Sequence, residues 1–169
     1  TCVLFGDGSG AVVVEYNEDL TNSFYLNSSG DEQDALTTTK IPLNNPFNQV
    51  ELEPIYFHMN GQQVFKFAIT AIKETMVKLF EQNDLSLDDI NLVIPHQANK
   101  RIIDKVVKDL KAPSEQFFLN VSEYGNTSAA SIPIALHDAI KQQQVKNGDK
   151  VILIGFGGGL TWGGCIVSI

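Results

Sequence analysis

KVILIGFGGGLTWGGCIVSI, residues 150–169, holds six of the chain's 13 glycines between two apolar runs rich in β-branched residues. KVILIGF (150–156) and TWGGCIVSI (161–169) read as strands. Glycine loses extra backbone entropy on ordering, so this density asks for a reason. A phosphate cradle is one. It requires a helix to begin at the glycines, because the helix N-terminus holds the anion. Here a strand follows instead. A second glycine-rich stretch, GDGSGA (6–11), has the G-x-G-x-x-A spacing but runs into VVVEY, again strand-like. Neither is followed by the Lys-Ser/Thr of a P-loop. Residues 155–164 therefore predict a tight, bulged turn between strands, where backbone must approach something closely.

Working outward, GAVVVEY (10–16) reads as a buried strand, and NSFYL (22–26) as a second that could pair with it. Residues 27–55 carry Pro42, Pro46 and Pro54 and read as a long surface excursion. In residues 60–83, Val64, Phe65, Ala68, Ile69, Ile72, Met76, Leu79 and Phe80 recur at helical steps, with Asn60 as a cap. SLDD (86–89) is a turn or short helical piece with Ser86 as a cap candidate. NLVIP (91–95) is a short buried strand, and 98–110 an amphipathic helix. FFLNVS (117–122) reads as a strand, and 127–143 as a helix with Pro133 near its first turns. The order β–β–loop–α–β–α–β–α–β–β predicts one layered α/β domain with a mixed sheet.

At 169 residues, 43% apolar and 19% charged, the chain has the composition of one ordinary globular domain. It contains no apolar run long enough to span a membrane and no basic, apolar leader. It begins at Thr1 and enters an apolar stretch at once, so it reads as a piece of a longer protein. A net charge of −8 argues against wholesale nucleic-acid binding. The basic residues nevertheless cluster. Lys100, Arg101, Lys105, Lys108 and Lys111 crowd residues 100–111. That face suits a small acidic partner or a phosphate group; a solvated helix face with i,i+4 ion pairs accounts for it equally. Cys2 and Cys165 both lie in apolar β-like runs, which argues against a disulfide framework and fits a reducing cytoplasm. His58, His96 and His137 are scattered singly, with no metal-ligand spacing.

Two stretches carry possible chemistry. IPHQANKRI (94–102) puts His96 at the carboxyl end of a strand and just before a helix, where α/β folds place their sites. A histidine satisfied by backbone is the plainer alternative. SEYGNTSAAS (122–131) sets Asn126 after Gly125; Gly-Asn-Thr-Ser is also an ordinary helix cap. A His and an Asn at successive strand ends, beside a glycine-rich turn, could converge on one pocket and donate to a developing oxyanion.

TCVLFGDGSGAVVV, MNGQQVFKFA, IPHQANKRI, YGNTSAASIP and GFGGGLTWGG stand in this order from residue 1 to 164. Together they resemble the β-ketoacyl-acyl carrier protein synthase III family of thiolase-like condensing enzymes. The resemblance implies the second of two similar halves, with an α/β/α layering. Residues 1–169 would form this C-terminal domain, and the family's nucleophilic Cys would lie upstream. It implies decarboxylative condensation of a short acyl-CoA primer with malonyl-acyl carrier protein, the start of fatty acid synthesis. His96 and Asn126 match the family's catalytic His and Asn. Gly157, Gly158 and Gly159 would offer a backbone N–H to an oxyanion, and Phe156 would lie beside the acyl pocket. Gly61, Phe65, Ala98 and Asn99 match positions lining the coenzyme A and pantetheine tunnel. Arg101, with Lys66, Lys100 and Lys105, would dock acyl carrier protein, giving the basic helix a purpose. Coenzyme A and phosphopantetheine thioesters would be substrates, with no resident cofactor or metal. A cytoplasmic homodimer is implied for the full-length protein, and little activity for this half alone. A relative using coenzyme A esters only, or a non-catalytic assembly module of the same fold, remain open alternatives.

Overall fold

The computed structural model describes residues 3–18, 23–31, 34–38, 45–47 and 56–169. Strands are β1 (Ser23–Ser28), β2 (Leu36–Thr38), β3 (Phe57–Met59), β4 (Leu92–Pro95), β5 (Lys150–Gly157) and β6 (Thr161–Ser168). Helices are α1 (Gly61–Asn83), α2 (Lys100–Leu110), α3 (Val121–Tyr124) and α4 (Ser131–Lys141). β1, β6, β5 and β4 form a mixed sheet in that order; β4 runs parallel to β5, and the other two pairings are antiparallel. β2 and β3 form a separate antiparallel pair.

Side-chain alternation along the sheet builds the layers, since successive residues of a strand face opposite ways. Val93, Ile152, Ile154 and Ile166 join one apolar cluster with Ala68, Ile72, Met76 and Leu79 of α1 and Ile102, Ile103 and Val106 of α2. Their neighbours Leu92, Ile94 and Val151 join another with Ala135 and Ala139 of α4. One sheet is thus covered on both faces, giving an α/β/α sandwich. Full burial of each large side chain, such as Ile72 or Leu79, contributes roughly 1.5–3 kcal/mol.

The caps follow the residue chemistry. Asn60 Oδ1 accepts from Gln63 N at α1, and Asn99 Oδ1 accepts from Arg101 N at α2. Ser86 and Asp89 form a reciprocal capping box on a 3₁₀ turn. Glycine is needed at Gly159, Gly163 and Gly164 in the β5–β6 hairpin, Gly163 because a Cβ there would meet the Tyr25 carbonyl oxygen at 2.5 Å. Gly159 has φ +140°, and a Cβ on Gly164 would meet the Leu153 carbonyl oxygen at 2.5 Å. Gly164 therefore lets β6 lie tight against β5.

Several elements differ from the sequence reading. Residues 10–16 belong to no strand, and Val12, Val13 and Val14 are exposed. β1 pairs with β6 instead. FFLNVS contributes a single bridge, Phe117 to Val93, before the chain turns into α3. The helix expected over 127–143 opens as a 3₁₀ turn, Ser128–Ala130, and becomes α-helical at Ser131. The expected excursion over 27–55 contains β2, and the rest of it lies partly outside the described residues, as does Cys2. Among the described residues no helix is long and apolar enough to cross a membrane.

Candidate active site

β4 ends at Pro95, and the backbone N–H of His96 donates to the Ile154 carbonyl at 2.7 Å, extending the β4–β5 ladder by one residue. The imidazole is thereby carried to the carboxyl end of the sheet. Gln97, buried, locks this corner. Its Nε2 donates to the carbonyls of Pro95 (2.8 Å) and Phe118 (3.1 Å), and its Oε1 accepts from Asn120 N at 3.0 Å. Asn120 in turn donates to the buried Asp138 carboxylate on α4 at 2.9 Å. The network ties β4, α3 and α4 together behind the histidine.

His96 Nδ1 lies 2.6 Å from Ser131 Oγ, and its ring stands edge-on to Phe156 with centroids 5.2 Å apart. Burial disfavours the imidazolium and lowers the pKa from 6.5 to about 4. The ring is therefore neutral at pH 7 and offers one N–H. Asn126 follows Gly125 (φ +69°), and its backbone exchanges bonds with Gly6 N and Leu4 O, each at 3.0 Å. Its Oδ1 accepts from Ser128 N at 2.9 Å. A backbone N–H can only donate, so the atom facing it is the oxygen and the NH₂ is left to donate elsewhere.

His96, Asn126, Phe156 and Gly157–Gly159 all line one cleft of about 1460 Å³. Gly61 and Phe65 at the start of α1, and Ala98 and Asn99 before α2, line it too. A Cβ on Gly157 would meet nothing within 4 Å, so the chain itself does not require glycine there. The missing side chain leaves room in the cleft.

The four basic residues lie outside this lining. The Arg101 guanidinium sits 6.0 Å from the Phe65 ring centroid, at the cleft's edge. Lys66 is exposed on α1. Lys100 pairs with Asp104 at 2.7 Å and Lys105 with Asp109, whose carboxyl that ammonium holds below its ordinary pKa. Among the described residues, Lys66 and Arg101 enter no salt bridge. Cys165 lies in β6, with its thiol pKa pushed up by burial, which disfavours the thiolate.

Residues 80–169 match the family described as 3-oxoacyl-[acyl-carrier-protein (ACP)] synthase III C terminal. The chain belongs to this family. A beta-ketoacyl-[acyl-carrier-protein] synthase III of Clostridium perfringens (strain SM101 / Type A) is 46% identical over 172 residues, covering 100% of this chain and 53% of the relative. The crystal structure of the synthase III from Aquifex aeolicus VF5 superposes with a TM-score of 0.84 at 40% identity, covering 100% of this chain and 51% of that one. The synthase III structure from Thermus thermophilus gives 0.81 at 36% identity, covering 100% and 53%. The chain spans about half the length of these synthase III relatives. Its α/β/α sandwich is the thiolase-like layering of the family.

Within this synthase III fold, sequence reasoning missed Ser131 and Gln97. Both lie inside quoted motifs. Ser131 leads an apolar run and Gln97 stands among polar neighbours, so neither stood out, and only the packing of α4 against β4 shows what they touch.

Proposed function

We propose that the chain is the C-terminal catalytic half of a β-ketoacyl-acyl carrier protein synthase III. The carrying observation is that a neutral histidine and an asparagine with its amide oxygen already engaged line one cleft together with a glycine turn. In the first half-reaction, a Cys thiolate from upstream of these residues attacks an acyl-CoA thioester. A carbon–sulfur bond forms to the Cys, the one to coenzyme A breaks, and the departing coenzyme A thiolate takes a proton from solvent. In the second, the malonyl thioester loses carbon dioxide and the bonding pair becomes an enolate. The enolate carbon attacks the acyl-enzyme, a carbon–carbon bond forms, and the Cys thiolate departs. His96 and Asn126 donate to the thioester oxygen as enolate charge develops, so their donation is strongest in the transition state. A backbone N–H of Gly157–Gly159 holds the tetrahedral oxyanion, and Phe156 bounds the primer. Gly61, Phe65, Ala98 and Asn99 flank the pantetheine arm.

Arg101 and Lys66 dock the acidic carrier protein, with Lys100 and Lys105 at the margin. Coenzyme A and phosphopantetheine thioesters act as substrates and no resident cofactor is used. The same reading makes the full-length enzyme a cytoplasmic homodimer; the exposed Val12, Val13 and Val14 support burial of that segment against other chain.

The test is the full-length enzyme with malonyl-acyl carrier protein and acetyl-CoA. His96→Ala or Asn126→Ala should lower decarboxylation about 10²–10³-fold while Cys acylation stays measurable. An equal fall in acylation would remove the roles assigned to these two residues.

A further inference from the structure

Ser131, the first residue of α4, is only 2% exposed, and its hydroxyl meets two groups from the β4 corner. Gln97 N donates to Oγ at 3.2 Å, and His96 Nδ1 lies 2.6 Å from the same oxygen. Ser131 Oγ forms no other hydrogen bond among the described residues. The Gln97 N–H can only donate, so it occupies a lone pair of the oxygen. The hydroxyl proton then has one acceptor within reach, Nδ1. The reverse arrangement, with the proton on Nδ1, would aim two donors at Oγ and leave the buried hydroxyl proton without an acceptor, a costly state.

We propose that Ser131 is a positioning residue that donates to His96 Nδ1 and holds the imidazole in the tautomer with its proton on Nε2. A neutral imidazole has one N–H, and which nitrogen carries it is set by the partner of the other. With Nδ1 occupied by a donor, the ring presents a donor rather than a lone pair to the cleft. Asn126 is oriented in the same way, because Ser128 N engages its oxygen and frees its NH₂. One short segment, residues 126–131, thus sets the polarity of both groups. This rests on the catalytic reading of His96 above.

The test uses the full-length enzyme with ¹⁵N-labelled histidine, the His96 signals being assigned by comparison with His96→Gln. Long-range ¹⁵N–¹H NMR should show Nε2 protonated and Nδ1 as an acceptor. Ser131→Ala should give mixed tautomers. It should also lower kcat for malonyl-thioester decarboxylation about tenfold, with KM changed less than about twofold and Cys acylation unaffected. Ser131→Thr, which keeps a donor hydroxyl, should retain the tautomer. A proton found on Nδ1 in the unsubstituted protein, or a tautomer indifferent to Ser131→Ala, overturns the proposal, as does an equal loss in acylation. Failure of the unsubstituted enzyme to decarboxylate malonyl thioesters would instead remove the catalytic reading, while the NMR still decides the tautomer.

Discussion

His96 is neutral at working pH because burial lowers its pKa to about 4. Between 6.5 and about 4 the unfolded chain binds a proton that the folded chain refuses. The unfolded state is favoured as pH falls through that window, so stability is lost on acidification and is complete above it. Denaturant unfolding of the full-length protein at pH 7 and pH 5 should show a loss of about 1–2 kcal/mol from this group. His96→Asn should remove that part of the slope; an unchanged slope would mean the ring titrates normally. The identity of His96 and Asn126 as candidates was legible in PHQAN and YGNTSAAS. The protonation state was not, because desolvation depends on Phe156 and the sheet around the ring.

The basic helix α2 carries two kinds of cation. Lys100 and Lys105 are matched by acids one turn on, the i,i+4 pairing that the sequence also allowed. Arg101 lies on the Phe65 ring at the cleft's edge and has no acidic partner among the described residues. Arg101→Glu should therefore raise the apparent KM for carrier protein more than Lys105→Glu does, and more at low salt than at high. Steady-state kinetics at two ionic strengths checks this; equal effects of the two reversals would favour the solvated-face reading. At this scale α1, α2, β4, β5 and β6 were readable from residue pattern, and α1 also from its Asn60 cap. GAVVVEY and FFLNVS were not, because β-branched and aromatic runs report a preference for pleated, half-buried surroundings and not a partner. Val12–Val14 find no ladder among the described residues, and Phe118 bonds back to Val93 just before the chain turns into α3.

Across the whole molecule, the cleft gathers donors, glycine backbone and apolar wall without a suitable thiol among the described residues. Cys165 is a strand residue whose thiol burial keeps protonated, and Cys2 lies outside them. The 169 residues expressed alone should show no condensation of acetyl-CoA with malonyl-acyl carrier protein, whereas the full-length protein should. Product assays on both decide it, and turnover by the 169 residues alone would contradict an upstream nucleophile. Residue order by itself determined the motifs, the Asn60 cap, the strand–turn–strand at 150–169 and the α/β alternation, all of which are short-range patterns. Tertiary structure alone decided which strand β1 joins, which lysines are neutralised and that Ser131 reaches His96. Those two residues stand 35 apart in the chain. Their 2.6 Å contact exists because α4 packs on the face of the sheet opposite α1, bringing its first residue to the end of β4.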